Sequence, residues 1–108
     1  MRLARKANIS KAAWEALTQC EKKIIKEPVE HGYQVTAEGK TLAHYTGSDK
    51  YVPITDNLNK INLIFTHNHP NKTHLSVTDL MTAVKFKYRE FRAVNSNNLC
   101  YLAEIPKI

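Results

Sequence analysis

The sequence lacks long hydrophobic runs. No apolar stretch among its 108 residues approaches the roughly 18 residues that a membrane-spanning helix needs. The positively charged start, Met1-Arg-Leu-Ala-Arg-Lys, is followed by Ala-Asn-Ile-Ser-Lys and not by the apolar segment of a secretory signal. Hydrophobic residues make up 43% and charged residues 24% of the chain, as in soluble globular domains. We therefore predict one soluble, cytoplasmic domain without a membrane partner.

The chain also lacks closely spaced cysteines. Its two cysteines, Cys20 and Cys100, lie far apart in the sequence. Cysteine-based structural zinc sites and dithiol redox motifs use close pairs, so this pattern excludes both. In a chain without an export signal we expect buried thiols and no disulfide. Any bound metal would then be held by nitrogen and oxygen.

Nucleic-acid-binding motifs are missing as well, although the formal charge is +6 and the pI is about 9.4. Such a charge attracts nucleic acid or acidic proteins in a nonspecific way. No aromatic pattern of the RNA-binding type accompanies it. The basic residues are spread along the chain and include Arg2, Arg5, Lys6, Lys22, Lys23, Lys26, Lys85, Lys87, Arg89 and Arg92. Nucleic-acid binding therefore stays an alternative and is not our first interpretation.

Hydrophobic periodicity predicts two helices. Ser10 is a typical cap for a helix that runs to about Lys26, before Pro28. Ser76 begins a second helix through about Tyr88. We expect this second helix to bury an apolar side formed by Leu80, Met81, Val84 and Tyr88.

The remaining apolar segments predict strands, with a hairpin turn at Glu38-Gly39. In chain order, these strands cover 29–36, 40–45, 51–54, 61–66, 91–94 and 99–105. The order of elements indicates an α/β (α+β) fold, in which a mixed, largely antiparallel sheet is flanked by two main helices. We expect one domain over 1–108, with an N-terminal helix over 1–28 and a catalytic core over 29–105.

Two histidines stand at the exit of the apolar run 61–66. His67 and His69 are two positions apart, so strand geometry would point both imidazoles the same way and let them share one ion. A catalytic zinc takes three protein ligands and keeps a fourth position open. Asp79, on the first turn of the second helix, is the nearest candidate for the third ligand.

The string His67-Asn-His69-Pro70, followed by Ser76-Val-Thr-Asp79, resembles the signature of the JAB/JAMM (MPN+) metallopeptidases. The His-Asn-His-Pro form is most similar to prokaryotic and phage branches, including RadC-like proteins, and the resemblance covers roughly 29–105. It implies a JAB/MPN-like, cytidine-deaminase-like layering. It also implies that His67, His69 and Asp79 bind Zn²⁺ and that Ser76 helps to hold the oxyanion.

The family uses a glutamate on an early strand, often just before a glycine, as the general base. Glu30-His31-Gly32 is the best match in this sequence. Glu38, in the hairpin turn, and Glu27, before Pro28, are the competing candidates. The other histidines, His31, His44 and His74, are expected to be loop or strand residues and not ligands, although His74 lies where it could contact substrate or the rim of the metal site.

The chain is shorter than the family pattern in two places. Five residues separate Pro70 from Ser76, one fewer than in many members. The interval from Glu30 to His67 is also shorter than in the eukaryotic deubiquitinating members. Both departures indicate a compact variant without a substrate-recognition insertion, so ubiquitin cleavage does not carry over to this chain.

These residues favour a zinc-dependent metallohydrolase, with a polypeptide or protein conjugate as substrate. Zinc-activated water, the Glu30 base and the Ser76 hydroxyl would supply the parts for amide hydrolysis. The alternative is a noncatalytic module of the same fold that binds a protein partner or nucleic acid through its basic surface. The metal of such a module would be structural or absent. Separately, Ser76 and Asp79 also fit a plain helix-capping pair. Hydrolysis of another amide-like or nucleobase-linked group is a third hypothesis.

Overall fold

Two helices and a five-stranded sheet make up the computed structural model, which describes residues 9–48, 62–71 and 75–104. In chain order the elements are α1 (Lys11–Ile24), β1 (His31–Thr36), β2 (Thr41–Thr46), β3 (Leu63–Asn68), α2 (Val77–Phe86), β4 (Glu90–Asn95) and β5 (Leu99–Glu104). The strand predicted over 51–54 lies outside the described residues. Within the described part of the chain, neither helix has the length and apolar character needed to span a membrane.

The strands are ordered β2-β1-β3-β4-β5 across the sheet. Only β3 and β4 run parallel, and every other neighbouring pair is antiparallel. The chain reaches β4 from β3 through α2, as a parallel pair requires. The mixed, largely antiparallel sheet with two main helices is therefore confirmed.

Helix α1 begins where the sequence predicts. The Ser10 hydroxyl accepts a hydrogen bond from the Ala13 N–H at 3.0 Å and donates one to the carbonyl of Ala37 at 2.8 Å. The helix ends at Ile24, slightly before the predicted Lys26. Its buried side packs on β1 and β3 through Ala13, Leu17 and Cys20. Gly39 in the β1–β2 turn has φ +96°, and a Cβ there would lie 2.6 Å from the backbone of Ala12. The turn is thus fitted closely against the start of α1.

Helix α2 exposes most of the side chains that we expected it to bury. Leu80, Met81 and Val84 are 42%, 67% and 62% exposed, so this prediction is wrong for all three. Tyr88, which follows the helix, is fully buried as predicted. Asp79 and Ala83 lie one turn apart on the side that faces the sheet, because Asp79 contacts the histidines of β3. That contact fixes the rotation of the helix and turns the longer apolar side chains outward.

Strand β3 is buried along its whole length and separates two layers of core. Its alternate side chains point to opposite faces. Ile64 packs with the residues of α1, whereas Leu63 and Phe65 pack with Ala83 of α2. A Cβ at Gly32 would lie 2.3 Å from the Phe65 ring, so this neighbouring position on β1 needs glycine. One helix therefore covers each face of the sheet.

A charged network is buried between α1 and the sheet. The Arg92 guanidinium donates to Glu21 at 2.8 Å and to Glu90 at 2.7 Å, and the Thr66 hydroxyl donates to Glu21 at 2.7 Å. The side chains of Glu21, Glu90 and Arg92 are at most 1% exposed. Arg92 is thus part of the interior and does not contribute to a basic surface.

Replacing Arg92 alone should destabilise the protein strongly. Arg92→Met leaves two carboxylates buried without their cation, and removing one partner of such a network costs about 3–5 kcal/mol. Urea unfolding followed by far-ultraviolet circular dichroism measures the loss. Lys11→Met, which removes an exposed 3.8 Å pair with Glu15, is the control and should change the midpoint little.

A triple variant separates lost charge compensation from lost packing. Arg92→Met combined with Glu21→Leu and Glu90→Leu removes every charge of the network and should recover part of the stability. Equal midpoints for Arg92→Met and Lys11→Met would contradict this account of the network.

Candidate metal centre

His67 and His69 point to the same side of the sheet. His67 lies in β3, where it is paired with Gly32 on β1 and Ala93 on β4. His69 follows the strand, and its N–H donates to the carbonyl of Val94 at 2.8 Å, which continues the strand pairing beyond Asn68. The two imidazoles are 1% and 4% exposed. The alternation predicted for these histidines is therefore present.

Asp79 reaches both histidines from the first turn of α2. Its Oδ1 lies 3.1 Å from His67 Nε2, and its Oδ2 lies 3.0 Å from His69 Nε2. The two Nε2 atoms are 3.0 Å apart. Tetrahedral ligands at about 2.0–2.1 Å from a zinc ion lie about 3.3 Å from one another, so these three side chains are close to the spacing of a zinc site.

Glu30 is the candidate base that the fold brings to the histidines. It is 5% exposed, and ligand-capable atoms of Glu30, His67 and His69 all lie within 4.8 Å of one another. Its N–H donates to the carbonyl of Ser48 at 2.6 Å, and its carbonyl accepts from Gly47 at 2.8 Å. A buried group able to hold a metal ion is thus formed by His67 in β3, His69 just after it and Glu30 just before β1.

The competing glutamates point elsewhere. Glu27 is 49% exposed and lies 3.7 Å from the ring of His31. Glu38 is exposed in the β1–β2 turn, next to Gly39. Neither belongs to the buried group, so the geometry favours Glu30 among the three.

Ser76 caps α2 together with Asp79. The Ser76 hydroxyl accepts from the Asp79 N–H at 3.0 Å, and Asp79 Oδ2 accepts from the Ser76 N–H at 3.0 Å. Asp79 therefore takes part in a capping box and also contacts the histidines. The capping interpretation is therefore confirmed. The role of Asp79 as a metal ligand and the role of Ser76 toward an oxyanion stay predictions.

The environment of Asp79 stabilises its ionised form. Burial alone would raise the pKa of this carboxyl. Hydrogen bonds from His67 and His69, the charge of His67 and the Ser76 N–H outweigh burial and hold the pKa well below its usual range. Asp79 is therefore a carboxylate, the form that binds metal.

The donor set fits a cation. Neutral imidazoles whose Nε2 atoms both carried lone pairs would repel each other at 3.0 Å, so a proton or a cation has to lie between them. His67 Nδ1 is buried and has no hydrogen-bond partner among the described residues. Two imidazoles together with a carboxylate suit a divalent metal that accepts nitrogen and oxygen ligands.

Asn68 ties the segment that carries Glu30 to β3. Its Oδ1 accepts from the His31 N–H at 2.6 Å, and its Nδ2 donates to the carbonyls of Val29 at 2.9 Å and Glu27 at 3.3 Å. The side chain is fully buried, on the opposite face of the sheet from His67. Sequence reasoning missed this residue. The available signal was an amide between two histidines, which strand alternation turns away from the site.

Of the other histidines that the structure describes, neither His31 nor His44 joins this group. His31 and His44 contact each other, with 3.1 Å between their ring nitrogens. His74 lies outside the described residues.

No family model, curated protein or solved structure matches this chain. Function is therefore inferred from the side chains of the site and from the motif that they form.

Loss of the Asn68 side chain should destabilise the segment that holds Glu30. Asn68→Ala removes three hydrogen bonds and leaves partly buried backbone groups without these partners, at a cost of about 1–3 kcal/mol. Chemical denaturation measures the change, and Asn97→Ala in the exposed β4–β5 turn is the matched control. Unfolding midpoints that agree for the two variants would show that Asn68 does not anchor this segment.

Proposed function

We propose that this chain is a zinc-dependent metallohydrolase of the JAB/JAMM type, acting as a peptidase or isopeptidase. The observation that carries the proposal is the convergence of His67, His69 and Asp79, whose donor atoms lie 3.0–3.1 Å apart beside the buried Glu30. The mixed sheet with one helix on each face agrees with JAB/MPN-like layering, which is part of the proposal.

Zinc is the proposed ion because the donors are imidazole and carboxylate, the combination found in catalytic zinc sites with three protein ligands. His67, His69 and Asp79 would hold it. When bound, zinc supplies a Lewis acid that polarises water and a substrate carbonyl. Ligands already at close spacing cost little reorganisation when the ion binds.

Glu30 has the position of a general base. Its carboxylate would accept a proton from the attacking water and return it to the amine that leaves, so that the proton inventory of amide hydrolysis balances. The Glu30 N–H donates to the carbonyl of Ser48, the Glu30 carbonyl accepts from the Gly47 N–H, and the hydrogen bonds between Asn68 and the flanking backbone also hold this segment in place. Ser76, next to Asp79 at the start of α2, would donate its hydroxyl hydrogen to the developing oxyanion.

The proposed substrate is a polypeptide or a protein conjugate with an amide or isopeptide bond. The short loop before Ser76 and the absence of a recognition insertion favour an extended segment over a folded ubiquitin-like protein. This assignment rests on fold and motif analogy combined with the chemistry of the site.

A noncatalytic partner-binding role is the second candidate. The observation that favours it is the exposed apolar stripe of α2, formed by Val77, Leu80, Met81 and Val84. Such a stripe suits apolar side chains of a polypeptide, and the net charge of +6 suits an acidic one. A native chain that folds but takes up no zinc would favour this role.

Metal content tests the site first. Protein without a histidine tag, dialysed against a weak chelator, should retain close to one zinc per chain by elemental analysis. The His67→Ala, His69→Ala double variant should lose it because two ligands are gone, whereas Cys100→Ser should keep it. Native protein that stays metal-free after zinc is offered at neutral pH would overturn the proposal.

Glu30→Gln and Asp79→Asn separate the base from the third ligand. Asp79→Asn should weaken zinc binding by more than the roughly 10- to 100-fold typical of residues that only support ligands. Glu30→Gln should keep zinc within roughly 10-fold of native affinity but reduce turnover by about 10²–10⁴-fold, because it removes proton transfer. Chelator competition measures affinity, and mass spectrometry of a library of peptides and lysine-linked isopeptides measures turnover.

Glu38→Gln is the matched control for Glu30→Gln and should behave as the native protein. Loss of zinc in Glu30→Gln, with retention in Asp79→Asn, would make Glu30 a ligand instead of the base. Full turnover of Glu30→Gln would remove it from both roles.

A further inference from the structure

A second pair of histidines lies on the other face of the sheet. His44 on β2 is directly opposite Tyr33 on β1, and His31 is two positions from Tyr33, so all three side chains share one face. Tyr33 packs against the core beneath α1, whereas Gly32 faces Phe65 on the side of His67. This second pair is therefore separated by the sheet from the candidate metal centre.

The ring nitrogens of the pair point at each other. His31 Nδ1 lies 3.1 Å from His44 Nε2, with ring centroids 5.3 Å apart and an angle of 22° between the ring planes. Two imidazole nitrogens at about 2.0–2.1 Å from one metal ion are separated by about 2.9–3.4 Å, depending on the angle at the metal. The observed distance falls within that range.

Neighbouring side chains hold both rings. Tyr33 stacks on His44 with centroids 4.4 Å apart and 8° between the planes. Glu27 Oε1 lies 3.7 Å from His31 Nε2, on the far side of that ring from His44. At this distance the carboxylate contributes negative charge and not a hydrogen bond. A neutral His31 ring with its proton on Nε2 would present Nδ1 as a lone-pair donor.

The charged groups around His31 and His44 affect how well this pair can bind a cation. Burial, then His31 and then Lys23 lower the pKa of His44, which keeps its ring neutral and able to act as a ligand at neutral pH. Lys23 opposes a second positive charge nearby, and the Glu27 carboxylate offsets it. His44 is exposed, so water can complete the coordination.

We propose that His31 Nδ1 and His44 Nε2 together bind one divalent transition-metal ion that prefers imidazole, with Cu²⁺ bound more tightly than Ni²⁺ or Zn²⁺. The ion replaces the single hydrogen bond that the two rings share without it. Small rotations of the rings would direct both lone pairs at the metal. The Glu27 carboxylate adds negative charge near the remote nitrogen of His31.

Copper titration of the full chain tests this site. The probe is Cu²⁺ alone, the background is the His67→Ala, His69→Ala variant without a histidine tag, and circular dichroism verifies folding. We expect one equivalent of Cu²⁺ by calorimetry, with a paramagnetic resonance spectrum that shows nitrogen ligands. His44→Ala in that background should weaken binding roughly tenfold or more, because a single imidazole remains.

His44→Gln is a second variant that keeps a polar side chain on β2, and it should weaken binding in the same way. His74→Ala is the matched control and should leave copper binding unchanged. Absence of copper binding in the background variant, or equal binding by His44→Ala, His44→Gln and His74→Ala, would overturn the proposal. The zinc content of His44→Ala in the otherwise native chain shows whether the candidate metal centre binds zinc without His44. Failure of the copper proposal and failure of the proposed function can therefore be told apart.

Discussion

The alternation of side chains along β3 is the constraint on which the rest of the structure depends. One strand, buried on both faces, sends Phe65 and His67 toward α2 and sends Thr66 and Asn68 toward α1. The first pair contributes to the aromatic core and to the candidate metal centre. The second pair joins the buried charge network and anchors the backbone around Glu30. A shift of one residue in the register of β3 would exchange these sets and remove both arrangements together.

Asp79 also has two structural roles, because it caps α2 and contacts the histidines of the sheet. As part of the capping box it satisfies the backbone N–H of Ser76 at the start of α2, and as a partner of His67 and His69 it fixes how that helix rotates on the sheet. The negative charge benefits from the helix N-terminus as well as from the histidines. A carboxylate with this many partners is held rigidly, which is what a metal ligand needs.

Periodicity in the sequence predicted most of the architecture, because hydrogen-bonded strands and amphipathic helices leave local patterns. The starts of both helices, the hairpin turn, five of the strands and the direction of the two histidines followed from those patterns. The buried side of α2 did not, because the contact between Asp79 and the histidines overrides the apolar pattern of Leu80, Met81 and Val84. The interior position of Arg92 was also hidden, since its carboxylate partner on α1 is far away in the sequence.

The long-range pairing of β1 with β3 has a consequence for the order in which contacts can form. The β1–β2 and β4–β5 hairpins and the α2 cap involve neighbours in the sequence, so they can form early at low loop-closure cost. The candidate metal centre instead combines Glu30, from before β1, with His67 at the end of β3 and Asp79 on α2, and it needs the long-range β1–β3 pairing. Completion of the site therefore depends on this long-range pairing and not on local contacts alone. An ion that binds there would stabilise the folded state. It would lower the unfolding rate more than it raises the folding rate.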